Sequence, residues 1–113
     1  MTILDVAAAQ PLTQSSDWLV IDVRAPFDYA GGRVPGSVNL PGRALEGSWR
    51  KVPAGRKLLF VDDDGSTVTA ACALARGLGF GEVAGLAGGF EAWLDAGLPT
   101  ETLSDGLRPL EDL

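Results

Sequence analysis

The chain has 113 residues, 46% of them hydrophobic, with nine basic against fifteen acidic side chains and a net charge of −6. That length and apolar fraction suit one domain with one core, and the scattered bases and overall acidity exclude nucleic acid and an anionic membrane as natural partners. A single cysteine rules out an internal disulfide, no apolar run nears the roughly 20 residues that span a bilayer, and Met1-Thr2-Ile3-Leu4-Asp5 lacks the basic residue and long apolar stretch of a secretory leader, so a cytoplasmic location is expected.

Short apolar runs alternate with helical patterns along the chain, which predicts an α/β fold. Asp5 is placed to cap a short helix through Val6-Ala7-Ala8-Ala9. Trp18-Leu19-Val20-Ile21-Asp22-Val23 reads as a strand buried on both faces, with its polar end, Asp22 and Arg24, emerging at the sheet edge. Pro26 suits a first helical position, Phe27-Asp28-Tyr29-Ala30 continue that helix, and Gly31-Gly32 stop it. Val34-Pro35-Gly36-Ser37 then turns into a short strand, Val38-Asn39-Leu40.

From Pro41 to Lys57 no period is strong, and the segment reads as a surface excursion with one short helix. Leu58-Leu59-Phe60-Val61 is the next buried strand, after which Val68, Ala71, Cys72 and Ala75 recur at helical spacing, with Gly77 or Gly79 as the stop. Glu82-Val83-Ala84 makes a short strand, Gly85 to Gly89 a flexible turn, and Phe90 to Ala96 a last helix ended by Gly97 and Pro99. From Thr102 to Leu113 the pattern fades into a tail.

The most informative stretch is the loop after the central strand, Asp62-Asp63-Asp64-Gly65-Ser66-Thr67, leading into Val68. Backbone N–H groups at such a strand-to-helix turn attract anions. Three aspartates placed there repel the ligand that the geometry invites.

Two groups of residues resemble a known family. Ile21-Asp22-Val23-Arg24, Tyr29, Gly32, Val34-Pro35-Gly36-Ser37 and Asn39-Leu40-Pro41 look like the entry motif of rhodanese-like domains. Gly79-Phe80, Leu86, Gly88-Gly89-Phe90, Ala92-Trp93 and Gly97-Leu98-Pro99 resemble that family's closing signature. The resemblance implies a rhodanese-like domain over residues 1–101, followed by a tail over 102–113, with a central, mainly parallel five-stranded sheet and helices on both faces. Active members carry a persulfide on a cysteine that opens the loop after the central strand, its thiolate held by loop N–H groups. Counting back from Gly79-Phe80 and from the helix puts that position on Asp62, with Gly65 as the loop glycine.

A carboxylate oxygen forms no stable persulfide, and three like charges oppose thiosulfate. The resemblance therefore implies a member of the sulfurtransferase family without its reaction: a binding or regulatory module that takes a protein partner, or a small anion or cation at the loop, and needs no cofactor. In one reading the Asp62 carboxylate folds back on the loop N–H groups as a built-in anion, with Asp63 and Asp64 solvated. In another, the three carboxylates, with the Ser66 hydroxyl, form an oxygen site for Mg²⁺ or Ca²⁺, Asp62 and Asp64 being the metal candidates. A third notes that Phe60-Val61-Asp62-Asp63-Asp64-Gly65-Ser66-Thr67 also resembles the first motif of haloacid-dehalogenase-type phosphatases. Asp62 would then be nucleophile and Asp64 acid/base of a cation-assisted phosphoryl hydrolase. That family's later lysine and downstream acidic pair are missing.

Cys72 shares a face with Val68, Ala71 and Ala75 and reads as a buried apolar filler rather than a nucleophile. Residual sulfur transfer by another route is the remaining alternative, and loss of turnover in Cys72→Ser would trace it to this thiol. Arg33, where the family pattern commonly has His, reads as a solvated turn arginine. Asp22 and Arg24 read as structural support that ties neighbouring loops together. Trp93, Phe90 and Tyr29 are core aromatics; Trp49 reads first as a packed aromatic and, as the alternative, as part of a partner surface with Arg43, Arg50 and Lys51.

Overall fold

A computed structural model describes residues 2–42 and 51–102. The apolar runs become the strands β1 (Thr2–Leu4), β2 (Trp18–Asp22), β3 (Val38–Asn39), β4 (Lys57–Val61) and β5 (Val83–Leu86). They form one sheet in the order β1-β5-β4-β2-β3 with every neighbouring pair parallel. β2 and β4 run in register over five residues, from Trp18 opposite Lys57 to Asp22 opposite Val61. Among the described residues four helices accompany them: α1 (Val6–Thr13), α2 (Pro26–Gly31) and α3 (Val68–Gly77) between strands, and α4 (Gly89–Asp95) after β5.

Successive strand residues point to opposite faces, and both faces are covered, which is why the strands read as continuous apolar runs. Leu19, Ile21, Leu58 and Phe60 pack with Val68, Cys72 and Ala75 of α3. On the other face Val20, Leu59, Val61 and Leu86 pack with Ala9 of α1 and with Phe90 and Trp93 of α4. Among the described residues no helix is long and apolar enough to cross a membrane.

Several elements depart from expectation. Thr2–Leu4 is an edge strand, Thr2 pairing with Ala84 and Leu4 with Leu86; three residues hold too little periodicity to announce it. The Asp5 side chain caps α1 by accepting the Ala8 N–H at 2.9 Å, and the helix runs past Pro11 to Thr13. Pro11 gives up one helical hydrogen bond there, and Leu12, packed against the core, holds the last turn. Gly85 and Leu86 belong to β5, not to a flexible turn. Gly85 is a strand glycine because Val68 presses on it: a Cβ at that position would lie 2.8 Å from the Val68 side chain.

Val52, within the expected surface excursion, is buried in the core. Arg43, Trp49 and Arg50 lie outside the described residues, as does the expected tail beyond Thr102.

Candidate functional site

All five strands point their carboxyl ends the same way, so β4 delivers the loop 62–67 to one end of the sheet, between α3 and the start of α4. Asp62 is 4% exposed. One of its carboxylate oxygens accepts the Gly65 N–H at 2.6 Å, and the other accepts both the N–H and the hydroxyl of Thr67 at 2.7 Å each. The loop therefore wraps around its own first carboxylate, satisfying donors that a helix start otherwise leaves to water or to a ligand. Thr67 precedes α3, and its hydroxyl is committed to Asp62 instead of to the helix.

The next two carboxylates point outward. Asp63 and Asp64 are exposed, and Asp64 accepts the Ser66 N–H at 3.0 Å. Hydrogen bonding from Ser66 holds the Asp64 carboxyl below its usual range. Both Asp62 oxygens accept loop donors, and one Asp64 oxygen accepts the Ser66 N–H. Among the described residues no three acidic or thiol groups gather as a metal ion would require.

Gly88-Gly89-Phe90 contributes to the loop in a way the sequence reading missed. The Phe90 N–H donates to the Asp62 carbonyl at 2.7 Å and the Glu91 N–H to the Asp63 carbonyl at 3.0 Å, so the first turn of α4 is stitched to the loop. Gly89, at φ +60°, lets the backbones approach: a Cβ there would lie 2.6 Å from the Asp62 carbonyl oxygen and the Asp64 nitrogen. The glycine pair that belongs to the family's closing signature is the available signal, and its local pattern alone reads as a flexible turn.

Asp22 and Arg24 do not emerge from the sheet edge. Asp22 is fully buried and Arg24 is 8% exposed, because β2 is an interior strand flanked by β4 and β3. The guanidinium grips both carboxylate oxygens, at 2.8 to 3.1 Å. It also donates to the Gly32 carbonyl at 2.6 Å and stacks 4.3 Å above the Phe90 ring. Burial pushes the Asp22 carboxyl up, against the downward pull of Arg24.

Arg33 is likewise buried, at 2% exposure, rather than solvated. Its backbone pairs with Glu101 in an antiparallel bridge, and its guanidinium lies 4.8 Å above the Tyr29 ring. A long-range strand contact, invisible in the local turn pattern, carries it inside. Cys72 is fully buried, and burial raises its thiol pKa.

Residues 5–96 match the model of the rhodanese-like domain. The chain is 32% identical over 91 residues to a sulfurtransferase of Allochromatium vinosum, covering 80% of this chain and 85% of the relative. It is 34% identical over 89 residues to the thiosulfate sulfurtransferase GlpE of Ectopseudomonas mendocina, covering 79% and 81%. A rhodanese-related protein from Thermoplasma volcanium shares the fold, with a TM-score of 0.81 at 24% identity over 89% of this chain and 98% of that one. The chain belongs to the rhodanese-like domain family and is related to sulfurtransferases.

Proposed function

We propose that this domain is a non-catalytic binding or regulatory member of its family, in which Asp62 stands where sulfurtransferases carry their persulfide cysteine. The observation that carries the reading is the Asp62 carboxylate itself, closed in by Gly65 and Thr67. A persulfide-forming thiolate needs such N–H donors to be offered to sulfur. Here a fixed carboxylate, which has no sulfur to donate or accept, occupies them. Asp63 and Asp64 add negative charge in front of the loop, against an incoming thiosulfate.

Cys72 makes a poor substitute. It is buried on the inner face of α3 and its pKa is raised, so little thiolate exists at neutral pH. An Asp62-dependent hydrolase fits the geometry less well, since both Asp62 oxygens already accept loop donors and one Asp64 oxygen accepts the Ser66 N–H. We assign the domain to residues 1–101, because Glu101 still pairs with Arg33.

Thiocyanate formation from thiosulfate and cyanide tests the proposal, with no turnover above the uncatalysed rate expected. Turnover that survives Cys72→Ser, or that disappears with it, would equally overturn the non-catalytic reading. Mg²⁺-dependent hydrolysis of p-nitrophenyl phosphate that is lost in Asp62→Asn would replace it with the hydrolase.

A further inference from the structure

Among the described residues, charge is divided unevenly between the two ends of the sheet. At the carboxyl ends of the strands Asp28, Asp63, Asp64 and Glu91 are exposed, whereas Arg24 and Arg33 at that end are buried. At the opposite end Arg56 and Lys57 stand at the start of β4, and Arg76 near the end of α3 lines a cleft with Thr2 and Glu82; these three bases face two exposed acids, Asp17 and Glu82, the latter paired with Lys57 at 3.7 Å.

The acidic end also holds an apolar depression. Val23, Ala25, Pro26, Pro41 and Gly42 line a cleft of about 410 Å³. A second, of about 300 Å³, shares Val23 and Gly42 and reaches Thr67 and Ala70 at the start of α3. Phe27, next to Pro26, is 88% exposed, against 52% or less for Ile3, Leu78 and Leu94. A ring so fully in water, one residue on from the cleft-lining Pro26, gains burial only from another molecule.

We propose that this groove docks a basic segment of a partner protein. The segment sets an apolar side chain between Phe27 and the Val23–Gly42 cleft and a Lys or Arg beside Asp63 and Asp64, on the loop that Thr67 closes. Charge complementarity selects the occupant: the acidic rim steers a cationic segment in and repels phosphate backbones and anionic lipid. The inference rests on the reading of the domain as a binding module and names the chemistry of its partner.

The test is an amide NMR titration of the full chain with three peptides in which leucine alternates with lysine, glutamine or glutamate. Shifts at Val23, Phe27, Gly42, Thr67 and Ala70, with affinity falling in the order lysine, glutamine, glutamate, are expected. Asp63→Asn with Asp64→Asn should weaken the lysine peptide by about tenfold, and rising salt should do the same. Phe27→Ser, on an exposed side chain that the fold does not use, should weaken it by about fivefold.

Equal binding of the glutamine peptide, shifts centred on the Arg76 cleft, or no shifts would each overturn the proposal. Neither variant alters Asp62. Thiocyanate turnover would thus refute the non-catalytic reading while leaving the groove standing, and a silent titration with no turnover would refute the groove alone.

Discussion

One oxygen of the Asp62 carboxylate takes both the N–H and the hydroxyl of Thr67, each at 2.7 Å, five residues on along the chain. This pair closes the loop, and its other oxygen holds Gly65. Hydrogen bonds to a charged acceptor contribute about 1.5–3 kcal/mol, and removing the acceptor leaves part-buried donors unmatched. Asp62→Asn, which sets an NH₂ against N–H donors, should therefore destabilise the domain by about 1–3 kcal/mol, a fall of about 5–10 °C in Tm. A Tm within a degree or so of wild type would show that the loop does not depend on this carboxylate.

Asp62→Cys tests whether the same donors stabilise any anion. A thiol placed at the helix start, facing the Gly65 and Thr67 N–H groups, should ionise more readily than an ordinary one. Iodoacetamide at neutral pH should modify it well before Cys72, as read by mass spectrometry of the peptides. Equal rates at the two cysteines would mean that the donors do not form an anion cradle.

Gly89 and Gly31 make a contrasting pair. A Cβ at Gly89 would lie 2.6 Å from the Asp62 carbonyl oxygen, at φ +60°, whereas at Gly31 in α2 it meets nothing within 4 Å. Gly89→Ala should cost about 3 kcal/mol or more, since backbone rather than a movable side chain must give way. Gly31→Ala should be neutral or stabilise by up to about 1 kcal/mol, through helix propensity. Urea denaturation of the two variants side by side checks both signs.

Alkaline pH should weaken the fold. Tyr29 is 3% exposed and donates its hydroxyl to the Ser37 carbonyl, and burial raises its pKa as it raises that of Cys72. The unfolded chain releases these protons first. The stability they carry is therefore fully present below the ordinary thiol and phenol values and is lost as pH rises through the higher folded-state values. Tm should hold steady to about pH 8 and fall above about pH 9, less steeply in Cys72→Ala. A flat profile to the top of that range would contradict the burial of these groups.

Breaking the Asp22–Arg24 pair from one side should be costly. Arg24→Met keeps an apolar chain near the Phe90 ring but removes the guanidinium from the Gly32 carbonyl and from a buried carboxylate, which is left with the backbone N–H of residue 24 at 2.9 Å. A loss of about 3–5 kcal/mol is expected, with Asp22→Asn/Arg24→Met recovering part of it because the stranded charge is gone. Chemical denaturation of the single and double variants completes the cycle, and purely additive losses would show that the pair is not coupled.

Most of the fold was legible because its signals are local. The runs at Leu19–Ile21 and Leu58–Val61, the Asp5 cap, Pro26 at a helix start and the Gly97 stop each act within a few residues, and the family motifs mark the same elements. The misses lie where a distant segment decides. Three-residue β1 exists only because β5 offers it an edge. Gly85 extends β5 because Val68 sits on it, and Arg33 turns inward because residue 101 comes back to pair with it. Periodicity measures what a segment would do alone, and none of these segments acts alone.

The candidate site divides along the same line. Residue order was enough to place three carboxylates after a buried strand and ahead of a helix, because strand, loop and helix are consecutive and their periods differ. Whether Asp62 opens outward to a ligand or inward to its own loop could not follow from that order, since a carboxylate takes whichever donors surround it. Packing chose: α4 presses its glycine-lined start against the loop, ties the Asp62 and Asp63 carbonyls to its first turn, and leaves Asp62 curled onto Gly65 and Thr67 with Asp63 and Asp64 in water.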